Sequence, residues 1–145
     1  MMIKLNSILI YLRALLVFFI IGPILLLLTL IYTKLIYIIV IPWCRFMIFV
    51  FGCKIHINGE LPENESFVIM ANHQSFLDVF AVPIALKGKF SAVAASKNFK
   101  IPVYKTFLKK LKVVGIDRGN LENAIKGITE AEKVLQSGYH IVILP

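Results

Sequence analysis

The residues best suited to chemistry are His73 and Asp78, an imidazole and a carboxylate five positions apart in Ala71-Asn72-His73-Gln74-Ser75-Phe76-Leu77-Asp78. Imidazole changes protonation near neutral pH, and a carboxylate bonded to one ring nitrogen orients it and stabilises its charged form. Such a pair is a general base. The same residues support a structural reading. Ser75-x-x-Asp78 has the form of a capping box, in which the serine caps a helix and the acid reaches back to a free amide. Near a helix N-terminus the dipole also favours Asp78 without any catalytic role. Spacing leaves both readings open. A second candidate is Arg118, in Asp117-Arg118-Gly119-Asn120. A guanidinium grips phosphate through a bidentate fork, and it equally serves in an Asp117–Arg118 pair capping the next helix.

The elements that must position these groups follow from periodicity. Cys53 to Gly59 alternates apolar and polar and ends in Asn-Gly, the pattern of a half-buried strand with His56 facing solvent. Residues 61–65 form a loop. Ser66 to Met70 is expected to be a buried strand, delivering the chain to His73. A helix over Val79 to Leu86, a turn at Lys87-Gly88-Lys89 and a strand over Phe90 to Ala95 follow. Pro102 suits the first turn of a helix over Val103 to Lys112, whose lysines read as a solvated basic face. Val113 to Ile116 is a short strand. Leu121, Ala124, Ile125, Ile128, Ala131 and Leu135 recur at a helical period, and Gly138 stops that helix. Tyr139 to Leu144 is a last strand, expected to lack elements that cover it and to be an aggregation site. Strands alternating with helices predict an α/β domain with a largely parallel sheet. The strand ends would gather His73 with Asp78, Asp117 with Arg118, and whatever follows Pro145 on one edge.

The first third of the chain is of another kind. Ala14 to Thr33 has no charged residue and as a helix could span roughly 30 Å. Gly22-Pro23 would kink it. A second run, Leu35 to Phe51, is interrupted by Pro42 and Arg45. Lys4, Arg13, Lys34, Arg45 and Lys54 punctuate both runs, so flanking charge sets no orientation. The pattern fits a hairpin of two helices dipping into one leaflet at least as well as a true span, with Trp43, Tyr32 and Tyr37 suited to the interface. A cleaved signal peptide is disfavoured by the length of the run and the lack of a small-x-small site. Cys44 and Cys53 form no CxxC or Cys/His cluster, which argues against zinc and a disulfide framework. Net charge is 16 − 8 = +8, suited to anionic lipid, phosphate-bearing ligands or nucleic acid. No nucleic-acid motif accompanies it.

At these motifs the chain resembles the glycerolipid acyltransferases of the PlsC type, the 1-acylglycerol-3-phosphate acyltransferases. Asn72-His73-x-x-x-x-Asp78 is similar to their first motif. Ser96-Lys97-Asn98-Phe99-Lys100-Ile101-Pro102 resembles the segment between motifs, Gly115-Ile116-Asp117-Arg118 the second motif, and Ile143-Leu144-Pro145 the start of the third. The family usually has a bulky apolar residue where Gly115 stands, so looser packing is expected there. The Glu-Gly-Thr-Arg that completes the third motif does not appear.

The resemblance implies an N-terminal membrane helical hairpin, residues 1–52, and a partial α/β acyltransferase domain, residues 53–145. The latter would be a mixed sheet flanked by helices with its C-terminal part missing. It implies transfer of a fatty acyl group from an acyl carrier protein or coenzyme A thioester to the free hydroxyl of lysophosphatidate, giving phosphatidate in phospholipid synthesis. His73 would take the hydroxyl proton and Asp78 would orient His73. Arg118, Lys97 and Asn72 would bind substrate. No metal or cofactor is implied. The enzyme would sit at a membrane with its active site on the cytoplasmic face. Two other classes fit the residues: an inactive membrane-bound fragment of such an enzyme, and a small basic module binding anionic lipid. Because the third motif is incomplete, residues 1–145 alone are expected to be inactive.

Overall fold

The computed structural model describes residues 2–32, 36–62, 65–86 and 88–144. Lys34, Glu63, Asn64, Lys87 and Pro145, on which parts of the sequence reading rest, lie outside the described residues. The chain forms two compact units. One comprises Met1–Gly59 with Ser75–Ala85, the other Glu60–Gln74 with Leu86–Pro145.

The first unit is helical. Helix α1, Met2–Ile31, runs through Pro23, and α2, Ile36–Val50, through Pro42. Within α1, Asn6–Ile31 is long and apolar enough to cross a membrane, with mean hydropathy 3.0 and 11% of its most apolar window buried. Helix α3, Asp78–Ala85, packs with these helices through Phe80, which joins Ala14, Cys44, Met47, Ile48 and Val50 in one core. The rings of Phe18, Phe51 and Phe76 lie against Phe80 at centroid distances of 5.5 to 6.3 Å. Arg13 is more than a flanking charge: its guanidinium donates to the Val50 carbonyl at 2.7 Å. That satisfies a carbonyl otherwise left unpaired at the end of α2, where the helix dipole also favours a cation.

The second unit is a parallel sheet with helices. Its strands are β1 (Val68–Met70), β2 (Phe90–Ala95), β3 (Val114–Ile116) and β4 (His140–Ile143). Their order is β1-β4-β2-β3, and every described pairing is parallel. Helices α4, Pro102–Lys110, and α5, Leu121–Gln136, follow β2 and β3. Pro102 opens α4 after a 3₁₀ segment, Ser96–Lys100. At its start α5 is capped by Asn120, whose side chain accepts the Asn123 amide at 3.0 Å. Past its end stands Gly138, with φ of 85°. A residue with a Cβ would be strained there.

Three expectations need correction. Residues 53–59 form no strand: Cys53 instead closes the end of α2 by donating to the Ile48 carbonyl, and Ile57 is exposed. Alternation alone does not supply a ladder partner. The expected buried strand over 66–70 is a sheet edge, and both Val68 and Met70 are largely exposed. Conversely, β4 is covered. It lies between β1 and β2, and Ile141 and Val142 are buried. The apolar residues of α5, whose helical period is as read, are not all buried. Leu121, Ile125 and Ile128 face outward, and the fully buried position is Gly127.

Candidate functional site

Parallel strands have their carboxyl ends on one edge, and in open α/β sheets ligands bind outside that edge. Here β1 delivers Asn72 and His73, β2 delivers Ser96 and Lys97, and β3 delivers Asp117 and Arg118. Asn72, His73, Lys97 and Arg118 are all exposed. The ladder continues one residue past β1, where the Ala71 N–H donates to the Ile143 carbonyl at 3.2 Å. This bond fixes the chain two residues before His73. Strands stand about 4.8 Å apart. His73 therefore follows the strand at one side of the edge and Arg118 the strand at the other, three steps or roughly 14 Å apart along it. Between them come the ends of β4 and of β2, which leads to Lys97.

Asp117 does not act as sequence physics alone allowed. Its carboxylate accepts the Gly119 N–H at 3.1 Å, and its carbonyl accepts the Asn120 N–H at 3.4 Å. Asp117 thus closes the turn, and Asn120 is the cap of α5. The turn presents Arg118 to solvent. Among the described residues no hydrogen bond or ion pair holds its guanidinium.

Asp78 belongs to the first unit. Its Oδ2 accepts the Ser75 N–H at 2.9 Å, while Ser75 Oγ accepts the Leu77 N–H at 3.1 Å. The capping-box reading is therefore realised. It does not exhaust the group, because an ionised carboxylate has about four acceptor sites on two oxygens.

Two contacts shape the edge that no short motif reveals. Gly115 does not leave loose packing. A Cβ built there would stand 3.1 Å from Phe99 Cε2, so the Phe99 ring occupies the volume of the missing side chain. That ring belongs to the same 3₁₀ segment as Lys97. Across the sheet, a Cβ at Gly127 would stand 2.8 Å from Ile116 Cγ1 and 3.0 Å from the Gly115 carbonyl oxygen. Close approach of α5 to β3 thus requires glycine, and the sequence signal for it was a glycine inside an otherwise amphipathic helix. Beside these contacts lies an open cleft of about 270 Å³, lined by Ser96, Gly115, Asp117, Asn123, Lys126 and Glu130, among others.

Residues 52–145, close to two thirds of the chain, match the Acyltransferase family model. No curated protein and no solved structure matches the chain. On the strength of a match that takes in the whole parallel sheet and every motif at its edge, the chain belongs to the acyltransferase family.

Proposed function

We propose that this protein transfers a fatty acyl group from an acyl thioester, carried by acyl carrier protein or coenzyme A, to the free hydroxyl of lysophosphatidate. The observation that carries the reading is the sheet edge, on which an exposed imidazole, an exposed lysine and a guanidinium with no hydrogen bond or ion pair among the described residues follow parallel strands β1, β2 and β3.

His73 takes the proton from the acceptor hydroxyl, and the oxygen attacks the thioester carbonyl. A C–O bond forms. The tetrahedral intermediate collapses, the C–S bond breaks, and the leaving thiolate takes the proton from the His73 imidazolium, which restores the neutral base. The step needs no enzyme nucleophile, because a thioester is already activated. Asp78, five residues on, holds the imidazole in the tautomer that accepts the proton and stabilises its charged form. Arg118 and Lys97 bind the acceptor phosphate, and Asn72 binds substrate beside His73. Helix α1 anchors the protein in the membrane from which the acceptor comes, with the active site on the cytoplasmic face. The product is phosphatidate, placing the reaction in phospholipid synthesis.

The test is acceptor selectivity. The protein, expressed as encoded together with any residues that follow Pro145, is given acyl thioester and either lysophosphatidate or the matching monoacylglycerol. The proposal expects transfer to the phosphorylated acceptor at least tenfold more efficiently, since hydrogen bonds to charged groups contribute about 1.5–3 kcal/mol. Equal use of both acceptors refutes phosphate recognition. Transfer to neither refutes the assigned substrates.

A further inference from the structure

We propose that α4 and the segment leading into it form a second, electrostatic membrane contact that docks on anionic lipid headgroups. It would act independently of the apolar anchor.

Charge is the first support. Residues 79–116 contain eight lysines and no acidic residue, whereas the remainder has eight basic and eight acidic residues, 8 − 8 = 0. The whole net charge of +8 therefore lies in this one segment. Geometry is the second. Leu108 and Leu111 are buried and Phe107 is half-buried, which fixes the inward side of α4. The outward arc carries Lys105 and Lys109, one helical turn apart, with Thr106 beside them; Ile101 stands one turn before Lys105, and Val103 one turn before Thr106. Ile101, just before the helix, is 58% exposed and Val103 50% exposed.

Exposed Ile101 and Val103 near Lys105 and Lys109, whose side chains make no hydrogen bond or ion pair among the described residues, are the composition of an interfacial helix. The apolar groups enter the headgroup boundary while the lysines meet the phosphates. A soluble acidic protein would satisfy the charge, but it gives no reason for Ile101 and Val103 to stand in water beside it. The adjacent β2 end carries Lys97, so docking would hold the sheet edge near lipid.

The experiment uses the full chain in vesicles, because the anchor masks simple binding. Cys53 is exposed and Cys44 buried, so a Cys53→Ser background allows single labelling. An environment-sensitive fluorophore is placed at Thr106→Cys, and separately at Leu16→Cys in α1. Vesicles of phosphatidylcholine, alone or with 30% phosphatidylglycerol, carry a lipid-borne quencher. The expected result is quenching at position 106 only in anionic vesicles, lost in 1 M salt, where the Debye length falls to about 3 Å. Each lysine near an anionic surface strengthens the contact about fivefold, so Lys105→Gln with Lys109→Gln cuts the docked-to-undocked ratio roughly 25-fold.

Equal signals at position 106 in both vesicle types, or no effect of the double substitution, would overturn the proposal. So would lysine-dependent binding of a purified acidic carrier protein to the detergent-solubilised chain without quenching on anionic vesicles, which assigns the surface to a protein. The label at position 16 keeps the two membrane readings apart. Quenching there in both vesicle types supports anchoring by α1 whatever position 106 shows, and its absence refutes the anchor alone.

Discussion

Replacing Gly127 by alanine sets two effects of known sign against each other. Alanine is favoured over glycine inside a helix by about 0.8–1.0 kcal/mol, and on that ground alone Gly127→Ala should stabilise α5. The packing says otherwise. The new Cβ would stand 2.8 Å from Ile116 Cγ1 and 3.0 Å from the Gly115 carbonyl oxygen. Neither atom yields easily, since one is backbone within a paired strand and the other is on a β-branched side chain with a stiff χ1. Overpacking of this kind costs about 1–3 kcal/mol. Because the contact is with backbone, we take the upper part of that range, and the net expectation is a loss of about 1–2 kcal/mol. Amide hydrogen exchange of the protein in detergent reads this directly, as a roughly tenfold loss of protection at Val114 and Ile116. The same displacement moves the end of β3, so acceptor affinity should fall as well. Gly115→Ala is the comparator. Its Cβ would meet only the Phe99 ring, at 3.1 Å, and a side chain can rotate away, so its cost should be smaller. Protection in Gly127→Ala equal to or above that of the parent would refute the argument that glycine is required by close approach.

Three further outcomes are expected. Asp78→Asn retains an oxygen for the Ser75 amide and loses the charge, so turnover should fall with little change in stability; Asp78→Ala should also lose about 0.5–2 kcal/mol of capping. Equal turnover in Asp78→Asn and the parent would leave Asp78 a purely structural residue. Arg118→Lys should raise the acceptor KM and leave the donor KM alone, because a point charge does not reproduce a bidentate fork; an unchanged acceptor dependence removes Arg118 from phosphate binding. Met1 to Phe51 fused to a soluble reporter should carry it to membranes and resist a high-salt wash, since salt does not screen apolar burial; release by salt alone contradicts an anchor.

Much of the second unit was legible because its signals are local. Pro102 opens α4 and Gly138 stops α5, each where backbone geometry demands it, and the apolar run over Phe90 to Ala95 forms β2 as read. What was not legible depends on partners distant in sequence. The period of α5 showed that one side is apolar, but the fully buried position against the sheet is Gly127, while Leu121, Ile125 and Ile128 remain outside. Nothing local in Cys53 to Gly59 showed that it would find no strand to pair with. The last strand in the chain became an interior strand of the sheet, since chain order does not set spatial order. At the site, the strands that lead to His73, Lys97 and Arg118 were readable. The capping role of Asp78 was one of two readings that spacing allowed, and the Phe99 ring over Gly115 required the structure.

The central claim is that His73 removes the proton from a lysophosphatidate hydroxyl as it attacks a thioester. Its most direct test is product formation by His73→Ala beside the parent, with labelled acyl thioester and lysophosphatidate, and acceptor binding measured on both. The account predicts labelled phosphatidate from the parent, a loss of about 10²–10⁴ in rate in the variant, and unchanged acceptor binding. Turnover by His73→Ala at close to the parent rate would contradict it.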